Sequence, residues 1–356
     1  MYYEYSGEKY QIDVVKIYIE LTTACNAKCP YCYNSSGGKG YSINKDALLN
    51  FLKREISLGV TTVHLSGGEP LLYPGYMELV AELNKENAHV LTVSNAFLIT
   101  EQFLDSYMPK NKLQLTLDSM DESEHDRTRG IGNFRKVMDV LEYCREKGYS
   151  ENIVLRHNVI RGNKKDLREF VEYAISQKIK QVTLTVLQNM GNAKKNKELV
   201  YDNRENLQEL LQINDEMSKL RQEYSEYIKI SSNQFENQGD CPFNRPQDIS
   251  MSPRVDYAGN VYICEMFDGE ENIVGNILEN SFEEIFGLEG FRNYMQKLFE
   301  RQKNNAKCKK CLFNNLCTGG CPATQYAEVG SFMHCASQCI LIKECFKNSL
   351  LERNNL

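Results

Sequence analysis

Between Val14 and about Leu187, short β-branched runs alternate with amphipathic stretches of helical period, the pattern of repeated strand–helix units around a parallel sheet. Six strands are predicted: Val15–Leu21, Thr61–Leu65, His89–Val93, Leu113–Leu117, Asn152–Ile160 and Gln181–Leu187. Among the helices between them, Asp46–Leu58 carries Leu48, Leu49, Leu52 and Ile56 on one face, and Phe134–Lys147 carries Phe134, Val137, Met138 and Leu141. Six units, where a closed barrel has eight, predict an α/β fold of the partial TIM-barrel type, with chemistry in the loops at the strands' C-terminal ends. His64, between Val63 and Leu65, reads as a core or barrel-lining histidine, and Cys144, in line with Val137 and Leu141, as a buried thiol. Arg156 and Asn158 share one face of the fifth strand, turned either into the barrel or out to a surface pair.

After Leu187 the pattern changes. Residues 188–240 are polar, with one helix near Glu205–Ser225 carrying Leu207, Leu210, Leu211, Met217 and Leu220, and read as a bridge. From Cys241 onward cysteines crowd the chain, which predicts a barrel core over 1–187, a helical bridge over 188–240 and a metal-bearing module over 241–356. The net charge of −6 and the absence of a Lys/Arg stripe argue against nucleic acid, although a local basic pocket would escape this count. No apolar run reaches about 18 residues and Met1–Tyr10 is polar, so neither a membrane span nor a signal peptide is expected. Most of the 13 cysteines fall in metal-ligand spacings, which favours the reducing cytoplasm over a disulfide framework.

Cys25, Cys29 and Cys32 place three thiolates within eight residues, just after the first predicted strand. Soft sulfur ligands select iron–sulfur clusters, zinc or copper(I), but a closed zinc site takes four protein ligands, and no fourth Cys follows before Cys144. Three ligands on four irons leave one iron open. With Tyr31 before the last cysteine, this C-x3-C-x2-C run resembles the motif of the radical S-adenosylmethionine (radical SAM) enzymes. That resemblance implies a 4Fe-4S cluster whose open iron chelates S-adenosyl-L-methionine and cleaves it reductively to a 5'-deoxyadenosyl radical. An electron donor such as a flavodoxin or ferredoxin is implied as well. Further segments match in order. Ser66-Gly67-Gly68-Glu69-Pro70 resembles the turn that contacts the methionyl amino group, and Ser94-Asn95 the third-strand turn, here without its usual glycine. Asp118-Ser119 resembles the fourth-strand turn, and His125 to Gly130, with Arg129, the His-Asp-x-x-Arg-Gly loop. Asp118 is expected on ribose hydroxyls or on a neighbouring loop, and Arg129 on a carboxylate.

The array Cys308-x2-Cys311-x5-Cys317-x3-Cys321 has zinc as its rival reading, since paired cysteines also build zinc ribbons. Together with Cys241 and Gly259-x4-Cys264 upstream, it resembles the SPASM extension of radical SAM enzymes, which houses one or two auxiliary iron–sulfur clusters. The resemblance implies Cys241, Cys264 and Cys321 for a first auxiliary cluster. It implies Cys308, Cys311, Cys317 and a later cysteine, Cys339 or alternatively Cys335, for the second. Only one Cys precedes Gly259 where fuller members have two, so the first cluster has an open iron, a smaller core or another ligand, Cys335 included. Cys345 reads as packed in a terminal helix, and Glu265, next to Cys264, as a candidate general base.

The expected function is hydrogen abstraction from a residue of a peptide or protein, giving a thioether, another cross-link or an oxidation. Sulfatase-maturase-like oxidation of Cys or Ser is an alternative, as is dehydrogenation or rearrangement of a small molecule. A non-catalytic metal scaffold is a fourth reading, from another class, distinguished by its failure to cleave S-adenosylmethionine. Residues 1–14 before the first strand offer no room for an N-terminal leader-binding domain, so a separate leader-binding partner is expected, or the 188–240 segment, or no leader at all.

Overall fold

A computed structural model describes residues 1–37, 40–163, 166–232, 241–315, 317, 319–332, 334 and 337–354, and Cys335 lies outside the described residues. The chain opens with a hairpin, β1 (Tyr2–Tyr5) and β2 (Glu8–Val14), turned at Ser6 and Gly7 with φ of 53° and 82°. The parallel strands follow: β3 (Lys16–Thr22), β4 (Thr62–Gly67), β5 (His89–Val93), β6 (Lys112–Thr116), β7 (Ile153–Val159), β8 (Gln181–Val186) and β9 (Lys229–Ser232). β3 to β8 are the six strands of the expected partial barrel, and β9 adds a seventh, parallel to β8, from within the 188–240 segment.

Helices α1 (Lys45–Ser57), α2 (Tyr76–Lys85), α3 (Glu101–Tyr107), α4 (Glu122–Arg129), α5 (Asn133–Lys147), α6 (Leu167–Ser176) and α7 (Leu207–Glu223) connect these strands. Local chemistry marks where several begin. Asn44, Thr100 and Asp121 each accept a backbone N–H at the first turn of α1, α3 and α4. Ile17, Ile19, Val63, Leu65, Leu113 and Leu184 on one strand face are fully buried in the core. The alternate face carries Tyr18, Glu20, His64, Arg156 and Asn158 along the barrel interior. His64 stands edge-on to Tyr18 at 4.4 Å between centroids, and burial with Lys16 nearby pulls its imidazole down to about 3, so it is a neutral lining group. Cys144 is sealed in the core, its thiol pushed up by burial to about 12.

The C-terminal module is joined to the barrel through the sheet. β10 (Ile249–Met251) pairs with β2, and β11 (Arg254–Val255) runs parallel to β3, with Arg254 opposite Tyr18. β12 (Asn260–Tyr262) and β13 (Gly275–Asn276) continue antiparallel, making a ten-stranded sheet open at β9 and β13. Five helices complete the module: α8 (Phe282–Gly287), α9 (Glu289–Asn304), α10 (Ala306–Lys309), α11 (Pro322–Val329) and α12 (Gln338–Asn354). Among the described residues no helix is long and apolar enough to cross a membrane.

Candidate active site

Cys25, Cys29 and Cys32 are free and partly exposed in the loop after β3. Backbone contacts from two other loops fix its path. Gly68 N–H donates to Thr22 O at 2.6 Å and Glu69 N–H to Ala24 O at 2.8 Å. A Cβ on Gly67 would lie 2.6 Å from Thr22 O, and one on Gly68 2.0 Å from Ala24 O. The glycine pair, expected to let backbone approach a ligand, therefore first lets it approach the cysteine loop. The second contact is a strap after β8. Asn192 N–H donates to Cys32 O at 2.9 Å, and Asn196 Nδ2 to Pro30 O at 2.7 Å.

Gly191 is the tight point of that strap: its φ is +52°, and a Cβ there would stand 2.3 Å from Cys32 O and 2.2 Å from Tyr33 O. Gly191→Ala is expected to cost about 1–3 kcal/mol by overpacking and to loosen the loop at Cys32. The measurement is iron retained per chain after reconstitution and gel filtration, where the variant should lose iron from this loop first.

Glu69 is buried beneath the loop. Its carboxylate accepts from Ser94 Oγ and Asn95 N–H, both at 2.9 Å, and from Leu71 N–H at 3.3 Å. Burial raises its carboxyl, while these donors and Arg129 oppose the rise. It also caps the short 3-10 turn that starts at Pro70. Asn95 Nδ2 reaches Asn26 Oδ1 at 2.7 Å and Cys25 Sγ at 3.7 Å, which joins the third-strand turn to the cysteines. The glycine missing after Asn95 is replaced by fully buried Ala96 at φ 73°, so the left-handed turn persists at a cost of roughly 1–2 kcal/mol.

Asp118 organises the opposite wall. Its carboxylate accepts from Tyr31 OH, from Thr128 Oγ1 at 3.0 Å and from Asn158 Nδ2 at 2.9 Å. Burial opposes its ionisation, but Arg129, His125 and the Tyr31 and Asn158 hydrogen bonds outweigh it and hold the carboxyl below the usual range. His125 Nδ1 accepts from Asp118 N–H at 3.1 Å, which leaves Nε2–H to donate to Asn133 Oδ1 at 2.9 Å. Asp118 thus acts on the cysteine loop through Tyr31. Ser119 Oγ donates to Asp166 and accepts from Asp121 N–H at 3.1 Å. Arg129 NH1 lies 3.5 Å from Tyr31 OH, and Cys29 and Asp118 favour its charge. Arg156 Nε donates to Asn158 Oδ1 at 3.1 Å, and because buried Asn158 reaches Asp118, their shared face is turned to the barrel interior and not to a surface pair.

The cysteine-rich module meets this site along β3. Arg254, buried, donates to Glu20 Oε1 at 2.6 Å and lies 4.0 Å over the Tyr262 ring. Tyr33, just past the third cysteine, donates to the carbonyl of Glu265 at 2.8 Å. The Glu265 carboxylate is exposed and hydrogen-bonds the Tyr18 phenol, which burial and then Glu265 push up. Cys264 is pushed up by burial, Glu265 and its neighbours Cys321 and Cys241. Burial and Cys321 likewise raise Cys241 to about 11. These three thiols form one neighbourhood. Cys308, Cys317 and Cys339 line one cavity with Cys321, and Cys311 N–H bonds Cys308 O at 3.0 Å. Cys345 packs against the core.

Between the two thiol groups sits Arg301, buried in α9. It donates to the carbonyls of Phe243 at 2.9 Å, Leu298 at 2.8 Å and Gly320 at 2.9 Å, and to Asn244 Oδ1. Among the described residues no three His, Cys, Asp or Glu side chains converge on one metal ion. The thiols gathered in the loop after β3 and in the C-terminal module are soft sulfur donors, which suits iron–sulfur clusters.

The strap at Gly191, the Tyr33–Glu265 bond and Arg301 escaped the sequence reading. Only Arg301 carried a local signal, a charge at helical spacing from Leu298 and Phe291.

Comparison with known proteins agrees with this fold. A model of the radical SAM superfamily matches residues 19–174, and one of the SPASM iron–sulfur cluster-binding domain matches 249–312. GTP 3',8-cyclase of Clostridium perfringens is 26% identical over 53% of this chain, and the match spans 60% of that relative's length. PqqA peptide cyclase of Bradyrhizobium diazoefficiens is 25% identical, covering 91% of this chain and 86% of its own. Among solved structures, anSMEcpe with bound AdoMet and Cp18Cys peptide superposes with a TM-score of 0.73 at 19% identity, covering 97% of this chain and 98% of that one. Streptococcus suis SuiB bound to precursor peptide SuiA gives 0.72 at 16%, covering 90% and 74%. These two structures share the fold.

Proposed function

The chain is built from a radical SAM domain followed by a SPASM iron–sulfur module, and from that premise we propose an enzyme that abstracts a hydrogen atom from a residue of a peptide or protein and oxidises or cross-links it. Cys25, Cys29 and Cys32 hold the 4Fe-4S cluster that works with S-adenosylmethionine. Cys241, Cys264 and Cys321 hold one auxiliary cluster, and Cys308, Cys311, Cys317 and Cys339 a second. The cofactors supply radical formation and electron acceptance. The chain's residues supply position. Glu69, Asn95 and the Gly67-Gly68 turn brace the cysteine loop from one side, and Asp118, Tyr31 and Arg129 from the other.

The observation that carries this reading is the bond from Tyr33, beside Cys32, to the backbone of Glu265, beside Cys264. It joins the segment after Cys32 to the segment of Cys264, whose neighbour Glu265 carries an exposed carboxylate. A substrate residue that loses its hydrogen atom there has a base within reach for the accompanying proton. The relation to a peptide cyclase over most of both chains supports a peptide substrate. The likeness to anSMEcpe over nearly all of both chains keeps a second reading, oxidation of a single Cys or Ser without cross-linking. A cytoplasmic setting and a separate carrier of electrons belong to the same proposal.

Glu265→Gln separates the base from the radical step. Product formation is expected to fall about 10²-fold or more, while 5'-deoxyadenosine is still released. Anaerobic assays with candidate peptides, resolved by fragment mass spectrometry, check this and distinguish a cross-link from a single-residue oxidation. Equal product from the variant and the wild type would remove Glu265 from the mechanism.

A further inference from the structure

Between Glu300 and Glu328 the chain has no acidic residue, although its net charge is −6. Within this stretch Lys303, Lys307, Lys309 and Lys310 are all exposed. Among the described residues no carboxylate pairs with them. They flank Cys308 and Cys311, both partly exposed, and Leu312 next to Cys311 is 96% exposed. The fold holds this edge in place. Asn305 Oδ1 accepts from Lys307 N–H at 2.9 Å and Cys308 N–H at 3.3 Å, and Gln302 Nε2 donates to Asn314 O at 3.1 Å.

We infer that this lysine-rimmed edge is the docking surface for an acidic one-electron carrier protein of the flavodoxin or ferredoxin class. The inference rests on the function proposed above, which requires electrons to enter or leave the chain singly. Four exposed lysines without carboxylate partners among the described residues and one exposed leucine within ten residues of chain offer positive charge and a little apolar surface, suited to a transient contact that is steered electrostatically. Electron-transfer encounters sit at the small end of interface sizes. In the exit direction the carrier is reduced by one electron, and the second auxiliary site beside Cys308 and Cys311 is oxidised by one. In the entry direction the two roles exchange, and no atom moves in either. An acidic substrate peptide fits less well, because the lysines flank Cys308 and Cys311, whereas the proposed base stands beside Cys264.

The test compares the reconstituted wild type with a Lys303→Glu, Lys307→Glu, Lys309→Glu, Lys310→Glu variant and with Leu312→Ala. All five positions are exposed, so folding should survive. Binding of a flavodoxin and of a plant-type ferredoxin is titrated at low and high salt, and zero-length carbodiimide cross-links are mapped by mass spectrometry. Expected are cross-links from these lysines to carrier carboxylates, affinity that falls with salt, and at least about tenfold weaker binding by the charge-reversed variant. Leu312→Ala should weaken binding without altering its salt dependence. Dithionite, which needs no docking, should drive S-adenosylmethionine cleavage equally in all three.

Wild-type and charge-reversed proteins binding both carriers alike, or a wild type that binds neither, would overturn the inference. So would a variant that keeps carrier binding and loses affinity for the substrate peptide. Salt-sensitive carrier binding by a wild type that leaves S-adenosylmethionine intact under dithionite would sustain the docking surface while the proposed function fell.

Discussion

Replacing Cys25, Cys29 and Cys32 together by alanine is expected to lower iron by about four atoms per chain, from about twelve, and to bring 5'-deoxyadenosine formation to background. The fold should survive, because among the described residues the contacts that hold this loop use a thiol only at Cys25 Sγ, which accepts from Ala27 N–H at 3.4 Å and Asn95 Nδ2 at 3.7 Å, and the rest do not. Gly68 N–H to Thr22 O, Glu69 N–H to Ala24 O and Asn192 N–H to Cys32 O are backbone bonds, and Tyr31 is held through its phenol. The cysteines are partly exposed, so their truncation leaves no sealed cavity. Loss of cleavage with an unchanged circular-dichroism spectrum would therefore report on the cluster alone. The auxiliary sites should keep about eight irons, since their thiols belong to other segments. A triple variant that still cleaves S-adenosylmethionine would refute the assignment of these cysteines, and a wild type that holds zinc and leaves it intact would refute the proposed function.

The part of this molecule that was legible in the sequence is the part fixed by local pattern. β5 occupies His89–Val93, its predicted span, and β3 to β8 all fall within two residues of theirs, because β-branched runs between amphipathic helices leave little choice of structure. The hairpin at Tyr2–Val14 was passed over as a polar N-terminus, although its Ser6-Gly7 turn was there to be read. β9, β11 and β13 are two to four residues long and exist through strands far away in sequence, so no local period marks them. The site divides in the same way. Thiol spacing is a local property, and it pointed directly to the cysteine loops. The buried Arg254–Glu20 pair, the Tyr33–Glu265 bond and the strap at Gly191 join distant segments and are visible only in three dimensions. Asp118 had two expected roles, on ribose hydroxyls or on a neighbouring loop, and its bonds to Tyr31, Thr128 and Asn158 are contacts of the second kind.

Arg301→Met is expected to destabilise the C-terminal module by about 3–5 kcal/mol, a magnitude set by what the guanidinium leaves behind. The side chain is 2% exposed. Its loss strips a donor from the buried carbonyls of Phe243, Leu298 and Gly320. These carbonyls belong to three segments. Phe243 follows Cys241, Gly320 precedes Cys321, and Leu298 lies in α9 itself, so one side chain ties the helix to two of the three segments proposed to hold the first auxiliary cluster. Charge adds to geometry. Burial pulls the guanidinium below its ordinary value, while Cys241, Cys321, Cys317 and Cys308 all favour its positive form. When those sulfurs carry the negative charge that metal binding requires, the same cation lies between both thiolate groups. Arg301→Lys would keep the charge and lose the planar fork, so its destabilisation should be smaller and its auxiliary iron content intermediate. Thermal melting of the reconstituted proteins gives the stability order, and iron per chain separates the two contributions. If Arg301→Met retains auxiliary iron and melts with the wild type, the carbonyls find other donors and α9 does not organise these loops.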